Sequence, residues 1–116
     1  MAVRRFCEAS LTKCALLSGR GNLGRTPRIN GGAGRDHWSF CYSVVLAGGG
    51  VRGGQVYGSS DRSAAYPSTN PVSPADIAAT IYHCLSIDPH TQTTDQQDRP
   101  LVLSAGKPLH AVLVGS

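Results

Sequence analysis

With 116 residues the chain can form one domain, and its 14 Gly and 7 Pro favour many turns over long helices and strands. The hydrophobic share of 41% excludes a disordered chain, and no apolar run approaches the roughly 20 residues that a membrane-spanning helix needs. The net charge of +4 is concentrated in the first 35 residues, where seven Lys and Arg accompany a single acid, Glu8. This region would attract phosphate, sulfate or nucleic acid, and an α/β or α+β fold is expected.

We expect no export signal in the N-terminal segment, because Glu8, Thr12 and Lys13 interrupt the apolar region that such a signal needs. Residues 1–20 have an apolar pattern that fits a short helix as well as a poor strand. The cysteines form no C-x-x-C pair and no zinc-ribbon spacing, which predicts neither a structural zinc nor a disulfide framework. We interpret them as small buried hydrophobic residues. They are Cys7, Cys14, Cys41 and Cys84.

The middle of the chain alternates between loop and strand patterns. Residues 19–34 are rich in Gly, Arg, Asn and Pro, which predicts an exposed loop of the kind on which anion sites are built. The apolar, β-branched run at residues 40–47 predicts an interior strand. A glycine-rich reversal at residues 48–54 leads to a short second strand at residues 55–58, and the polar residues 59–72 are predicted to be loop.

The best local signal is the start of a helix at Ser73, which as N-cap precedes Pro74 at the first helical position and Asp76 at the third. We predict that this helix ends near Ser86. Its predicted apolar face is made of Ile77, Ala78, Ile81 and Leu85.

The C-terminal part of the chain is predicted to contain only short elements. Residues 90–98 read as a polar loop, residues 101–103 as an edge strand, and Lys107 begins a last turn or two of helix. His83 lies beside the apolar face of the preceding helix, and we interpret it as a structural residue that forms a hydrogen bond.

Five motifs stand in the order in which a known family carries them. They are G-N-L-G-R-T-P-R-I-N (residues 21–30), G-R-D-H-W (34–38), V-L-A-G-G-G-V-R-G-G-Q-V (45–56), P-A-D-I-A-A-T-I-Y-H (74–83) and I-D-P (87–89). With them, residues 21–113 resemble the C-terminal end of the domain-of-unknown-function 1501 family, bacterial and typically exported proteins that look like sulfatases and alkaline phosphatases. The resemblance implies an α/β fold, a C-terminal fragment of an alkaline-phosphatase-like or sulfatase-like doubly wound domain with a strand pair and a capped helix.

The resemblance also implies a metal site, because enzymes of this superfamily hold metal ions with Asp, Glu and His at the carboxyl ends of the central strands. By this analogy His37 would be a ligand for zinc or a similar divalent ion, with Asp36 beside it. On the residues alone, a histidine hydrogen-bonded in a loop is the simpler interpretation. The family normally carries Glu-Phe where this chain has Asn22 and Leu23. Since an amide offers a metal only a neutral oxygen, we expect the metal to be weakly held.

The resemblance also implies that intact relatives are several times longer than this chain, and we expect the superfamily's nucleophile to lie in N-terminal segments outside the present sequence. We therefore expect residues 1–20 to be a poorly matching segment and residues 21–116 to be the C-terminal part of a sulfatase-like domain. Such a truncated fragment of a metal-dependent sulfate or phosphate ester hydrolase is expected to be inactive alone. The family would place a strand within residues 1–20, leading into the G-N-L-G-R motif.

Arg25 and Arg35 are the candidates for substrate binding. A pair of arginines on a glycine-rich loop could grip a phosphate or sulfate ester bidentately and stabilise charge in a transition state. The alternative, left equally open, is that both are solvated loop cations that pair with Asp36 or another carboxylate. The sequence indicates no oligomeric state.

A second function hypothesis concerns residues 19–35, which resemble a small nucleic-acid-binding arm with Arg spaced along a flexible Gly-rich backbone. This arm has no aromatic residue on which bases could stack, which argues against it. Nucleic-acid affinity that falls steeply with added salt would support the arm. Retention of a divalent ion that is lost when His37 is replaced would support the metal site.

Overall fold

The computed structural model of the protein describes residues 16–20 and 24–115. These residues form a small mixed α/β structure in which every strand pair is two-stranded and antiparallel. No helix among them is long and apolar enough to cross a membrane. In chain order the elements are β1 (Leu16–Arg20), β2 (Gly24–Arg25), β3 (His37–Trp38), β4 (Val44–Gly48), β5 (Ser59–Ser60), β6 (Pro67–Thr69), α1 (Pro74–Cys84), β7 (Gln92–Thr94), β8 (Pro100–Val102) and a 3₁₀-helix at His110–Val112.

The longest strand pair joins β1 to β4, with Leu16 opposite Gly48 and Arg20 opposite Val44. β1 is the strand that the family resemblance places before the G-N-L-G-R motif, so this expectation is confirmed. The predicted strand at residues 40–47 is confirmed only in its second half, because the chain still bends at residues 40–41. Among the described residues β4 has β1 as its one strand partner, so the predicted interior position of this strand is not confirmed by them.

The glycine-rich reversal after β4 is confirmed, with a 2.8 Å hydrogen bond from the Val51 N–H to the Gly48 carbonyl. The strand predicted at residues 55–58 is wrong. After the reversal, Val51 forms a bridge with Leu113 near the C-terminus. On either side of this bridge the Arg52 N–H donates to the Val112 carbonyl and the Val114 N–H to the Gly50 carbonyl, both at 2.8 Å. Residues 50–52 therefore pair with residues 112–114 near the C-terminus and do not form a second strand along β4.

Helix α1 confirms the strongest sequence prediction. Ser73 accepts the Asp76 N–H while the Asp76 carboxylate accepts the Ser73 N–H, which completes a capping box. At the other end Ser86 has a left-handed φ of 60° and the Ile87 N–H bonds to the Tyr82 carbonyl, which ends the helix.

One side of helix α1 packs against β4, and the hydrophobic core lies between them. Val44, Leu46 and Ile77 are its buried residues. The predicted apolar face is wrong at its last position, because Leu85 is 57% exposed. Ala79 and Thr80 are buried in addition to Ile77. Partly buried residues around this core are Tyr42, Val51, Val72, Ile81 and Leu109.

Residues 104–109, which we name the C-terminal clamp, are hydrogen-bonded to α1. The Ser104 hydroxyl donates to the Ala75 carbonyl at 2.7 Å, and the Lys107 N–H donates to Oδ1 of Asp76 at 2.9 Å. The Leu109 N–H donates to Oγ1 of Thr80 at 2.9 Å. Thr80 and Ser104 are both buried, so these bonds satisfy polar groups that water does not reach.

The segments predicted as polar loops contain two short strand pairs. β5 pairs with β6 inside residues 59–72, and β7 pairs with β8 across residues 92–102. The predicted edge strand at residues 101–103 is confirmed as β8, one residue earlier. Asp95 organises the tip of this second hairpin by accepting a 2.7 Å bond from Nε of Arg99. The helical turn predicted from Lys107 is a 3₁₀-helix that begins at His110.

The Asp76 carboxylate should make stability depend on pH. Partial burial, the largest single influence, pushes its pKa upward, but the N–H groups of Lys107 and Ser73, the Ser73 hydroxyl and the Lys107 charge outweigh it and hold the pKa below its ordinary value. This carboxylate therefore stabilises the fold above about pH 4, the ordinary pKa of Asp in an unfolded chain, and the contribution is lost as the pH falls through the folded-state value.

We expect Asp76→Asn to lower the free energy of unfolding by about 1–2 kcal/mol at pH 7, because the amide cannot accept all of these hydrogen bonds. The difference between the two proteins should shrink toward pH 2. Urea unfolding at both pH values measures it, and Asp98→Asn, in an exposed turn, is the matched control. A difference that stays constant down to pH 2 would contradict the role given to the charge.

Candidate functional site

The G-R-D-H-W motif lies in a β-hairpin made by β2 and β3. In this hairpin Gly24 is opposite Trp38 and Arg25 is opposite His37. A 3.0 Å bond from the Thr26 N–H to the Asp36 carbonyl extends the pairing by one step. Directly opposed residues of an antiparallel pair place their side chains on the same face, about 5 Å apart at Cβ. Arg25 and His37, two of the residues singled out from the sequence, are therefore neighbours on one face.

Asn30 organises the tip of the hairpin. Its side-chain oxygen accepts the N–H groups of Gly32 and Gly34, both at 3.0 Å, and its amide nitrogen donates to Oδ1 of Asp36 at 3.2 Å. The Asn30 N–H also bonds to the Gly34 carbonyl at 2.8 Å. The exposed loop predicted at residues 19–34 is confirmed for residues 26–34, which lie between β2 and β3, whereas residues 19–20 belong to β1 and residues 24–25 to β2.

The two arginines of the hairpin are exposed, and both use Nη1 to bond to backbone carbonyls. Arg25 donates to the Arg35 carbonyl at 3.3 Å, while Arg35 donates to the carbonyls of Thr26 at 2.9 Å and Pro27 at 3.3 Å. Within the part of the chain that the structure describes, neither guanidinium forms an ion pair with Asp36. Nε and Nη2 of each arginine have no hydrogen-bond partner among these residues, and these donors are suited to an anion.

The fit of a metal ion at His37 can be judged from the donors around it. The imidazole is exposed and is a suitable ligand for zinc, but Asp36 precedes it in an extended segment where successive side chains point to opposite faces. Asn22 lies outside the described residues. No group of three or more His, Cys, Asp or Glu side chains in residues 16–20 and 24–115 could hold a metal ion. The imidazole of His37 is therefore a suitable metal ligand, but the described residues do not supply the further ligands that a metal centre needs.

The opposite face of the hairpin carries an aromatic cluster that sequence reasoning missed. The ring of Trp38 lies 5.0 Å from that of Phe40 and 5.7 Å from that of Tyr66, both in edge-to-face geometry. Nε1 of Trp38 donates to the Ala65 carbonyl at 2.6 Å. A cleft of about 460 Å³ opens beside the cluster. It is lined by Thr26, Pro27, Arg28, Trp38, Ser63, Ala65 and Tyr66.

Asp61 holds the turn that presents Tyr66 to the cluster. Its carboxylate accepts the Ala65 N–H at 2.8 Å and the Ser63 hydroxyl at 3.2 Å. The Ala65 N–H is the main reason why the pKa of Asp61 lies below its usual value. A turn fixed in this way keeps the Tyr66 ring against Trp38. No sequence signal links these two residues, because their contact depends on chain folding between distant positions.

The remaining candidate residues lie away from the hairpin. The hydrogen-bonded role predicted for His83 is wrong, because its ring stands edge-on to that of His110 with centroids 5.1 Å apart and forms no hydrogen bond to another described residue. Cys41 and Cys84 are half-buried free thiols, and burial raises the pKa of Cys84, so the prediction of small buried hydrophobic residues is confirmed in part for these two. Cys7 and Cys14 lie outside the described residues.

The chain is similar to a known protein family. A family model described as "Protein of unknown function (DUF1501)" matches residues 14–113. The matched stretch contains the five motifs of the sequence analysis and the hairpin that carries Arg25, Arg35 and His37. No curated protein and no solved structure matches the chain.

Proposed function

This chain belongs to the DUF1501 family of proteins of unknown function, and we propose that its β2–β3 hairpin binds the anionic group of a sulfate or phosphate ester, with His37 as one ligand to a divalent cation. The observation that carries the proposal is the register that places Arg25 directly opposite His37. In the same proposal, the hairpin belongs to a metal-dependent ester hydrolase of the sulfatase-like, alkaline-phosphatase superfamily with a doubly wound α/β fold.

Two features of the arginines favour an anion at this face. A guanidinium offers a planar set of N–H donors that matches two oxygens of a tetrahedral oxyanion. Arg25 is tethered through Nη1 to the Arg35 carbonyl, and Arg35 to the carbonyls of Thr26 and Pro27. Side chains held in this way lose less conformational entropy when the anion binds. No carboxylate pairs with either guanidinium among the described residues, so their charge remains available.

The role proposed for His37 is that of a weak metal ligand. A divalent cation bound there would polarise an ester oxygen and draw the anion toward the hairpin. Asp36, which the Asn30 amide holds on the other face of the strand, would add negative charge to the hairpin without binding the ion, and Asn22 would contribute a neutral oxygen. The described residues place no hydroxyl or thiol nucleophile with a hydrogen-bonded base beside Arg25 and His37. We therefore propose binding of the ester by this chain without turnover.

The test is to titrate the full chain with inorganic phosphate, with and without Zn²⁺, and to follow binding by calorimetry. Arg25→Gln is expected to weaken phosphate binding about tenfold, because a hydrogen bond to a charged group contributes about 1.5–3 kcal/mol. In wild type Zn²⁺ should strengthen phosphate binding, and in His37→Gln this enhancement should disappear. Arg52→Gln, which removes an exposed arginine outside the hairpin, is the charge-matched control.

Equal phosphate affinity in Arg25→Gln and Arg52→Gln would overturn the anion site, and Zn²⁺ enhancement that persists in His37→Gln would overturn the metal ligand. The nucleic-acid hypothesis stays a prediction, and no comparison supports it. It would be favoured if the chain bound a DNA oligonucleotide with an affinity that falls steeply with salt while phosphate did not bind.

A further inference from the structure

The C-terminal end of α1 and the 3₁₀-helix face each other across an open cleft of about 540 Å³. His83 comes from the last turn of α1 and His110 from the first position of the 3₁₀-helix. The other residues that matter in this cleft are Asp88 and His90, on the loop that follows α1. The cleft therefore gathers three of the four histidines of the chain, none of which takes part in the function proposed above.

The two facing imidazoles have the separation of two ligands that share one ion. Their ring centroids lie 5.1 Å apart and their planes are inclined at 83°. A zinc-type ion sits about 2.0–2.1 Å from each ligating nitrogen, and the ring centroid lies roughly 1.1 Å behind that nitrogen, so two tetrahedrally arranged imidazoles have centroids about 5 Å apart. In the present edge-to-face arrangement, one ring must rotate about its side-chain bonds before a nitrogen of each ring can reach a common ion.

Both rings are available for coordination. His83 and His110 are exposed, and in the described part of the chain no protein group forms a hydrogen bond with either imidazole. An ion would therefore displace water alone, and binding would break no protein contact beyond the edge-to-face packing of the rings. Replacing either residue should leave the core of Val44, Leu46 and Ile77 intact.

The electrostatics of the cleft favour a cation. His83 lies in the last turn of α1, at the negative end of the helix dipole. The carboxylate of Asp88 lines the same cleft, and none of the residues that line it is Lys or Arg. Imidazole nitrogen prefers late transition metals to Mg²⁺ or Ca²⁺, which require oxygen ligands.

We propose that His83 and His110 form a two-imidazole site for a transition-metal ion of the Ni²⁺, Cu²⁺ or Zn²⁺ class, with water at the other coordination positions. No third His, Cys, Asp or Glu among the described residues completes this ligand set. The site is open and exchangeable, distinct from the hairpin site and independent of whether that site binds metal.

The experiment is a Ni²⁺ titration of the full chain, followed by NMR of the histidine imidazoles. Because Ni²⁺ is paramagnetic, it broadens the resonances of the rings that bind it. We expect the His83 and His110 signals to broaden together at the lowest Ni²⁺ concentrations, before those of His37 and His90. His83→Gln and His110→Gln should each weaken Ni²⁺ binding about tenfold or more, since each leaves a single imidazole.

His90→Gln is the matched control, because it removes an exposed imidazole from the rim of the same cleft and should change the affinity by less than about twofold. The proposal is overturned if His110 broadens equally in wild type and His83→Gln, since the two rings would then only stack. It is also overturned if His90→Gln weakens binding as much as His83→Gln. Circular dichroism of each variant confirms that the fold is retained.

Discussion

Replacing Gly106 by Ala is expected to destabilise the chain by about 3 kcal/mol, at the upper end of the usual cost of overpacking. A Cβ atom at this position would run into backbone atoms of Ala75 and Asp76 in the first turn of α1. Backbone cannot rotate away as a side chain can. The C-terminal clamp would have to lift, and the bonds from the Ser104 hydroxyl and the Lys107 N–H to the helix would be lost with it.

Thermal and urea unfolding measure this effect, and a loss of this size corresponds to a fall of about 10 °C in Tm for a chain of this length. Gly53→Ala is the control, because a Cβ at Gly53 meets no atom within 4 Å. We expect this control to stay within about 0.5 kcal/mol of wild type. Equal stability of the two variants would contradict the close contact between the clamp and the helix.

Replacing Gly24 by Ala is expected to disrupt the hairpin that carries the candidate site. Its Cβ would clash with the carbonyl oxygen of Cys41 and lie 2.8 Å from the carbonyl oxygen of Trp38. We expect a loss of about 2–3 kcal/mol in the free energy of unfolding. Since Gly24 immediately precedes Arg25, the Arg25–His37 pairing should be displaced and phosphate binding weakened in the same variant.

Gly31→Ala, at the tip of the same hairpin, is the control for this variant, because a Cβ at Gly31 meets no atom within 4 Å. Urea unfolding and phosphate titration should both leave Gly31→Ala near wild type. Gly24→Ala with wild-type phosphate affinity would show that the hairpin register does not determine anion binding. The two measurements thus separate the structural role of the hairpin from its proposed function.

The elements that the sequence predicts best are those that local chemistry defines. The capping box of Ser73 and Asp76 fixes where α1 begins, and both residues act within one turn of backbone. The apolar run at residues 40–47 predicts the strand β4 but not where it begins, because the chain bends at residues 40–41 and pairs with β1 only from Val44 onward. Family motifs identify Arg25 and His37, and the hairpin register brings these two side chains onto one face.

What the sequence does not predict depends on contacts between distant residues. β5 to β8 are two or three residues long, and β6, β7 and β8 are exposed at every position, so they carry no alternation of apolar and polar side chains. The contact of Trp38 with Tyr66 and that of His83 with His110 each join separate elements. Neither a hydrophobic periodicity nor a sequence motif indicates such contacts.

The bridge between Val51 and Leu113 has a consequence for the order of folding. It joins two positions that are 62 residues apart, so a large loop must close before the turn after β4 gains its partner. Helix α1 lies inside that loop and can nucleate early from its own capping box, whereas the bridge and the C-terminal clamp are late, slow events. The polypeptide should therefore pass through a state in which the formed helix still lacks the clamp, with Thr80 open to solvent until the Leu109 N–H bonds to it.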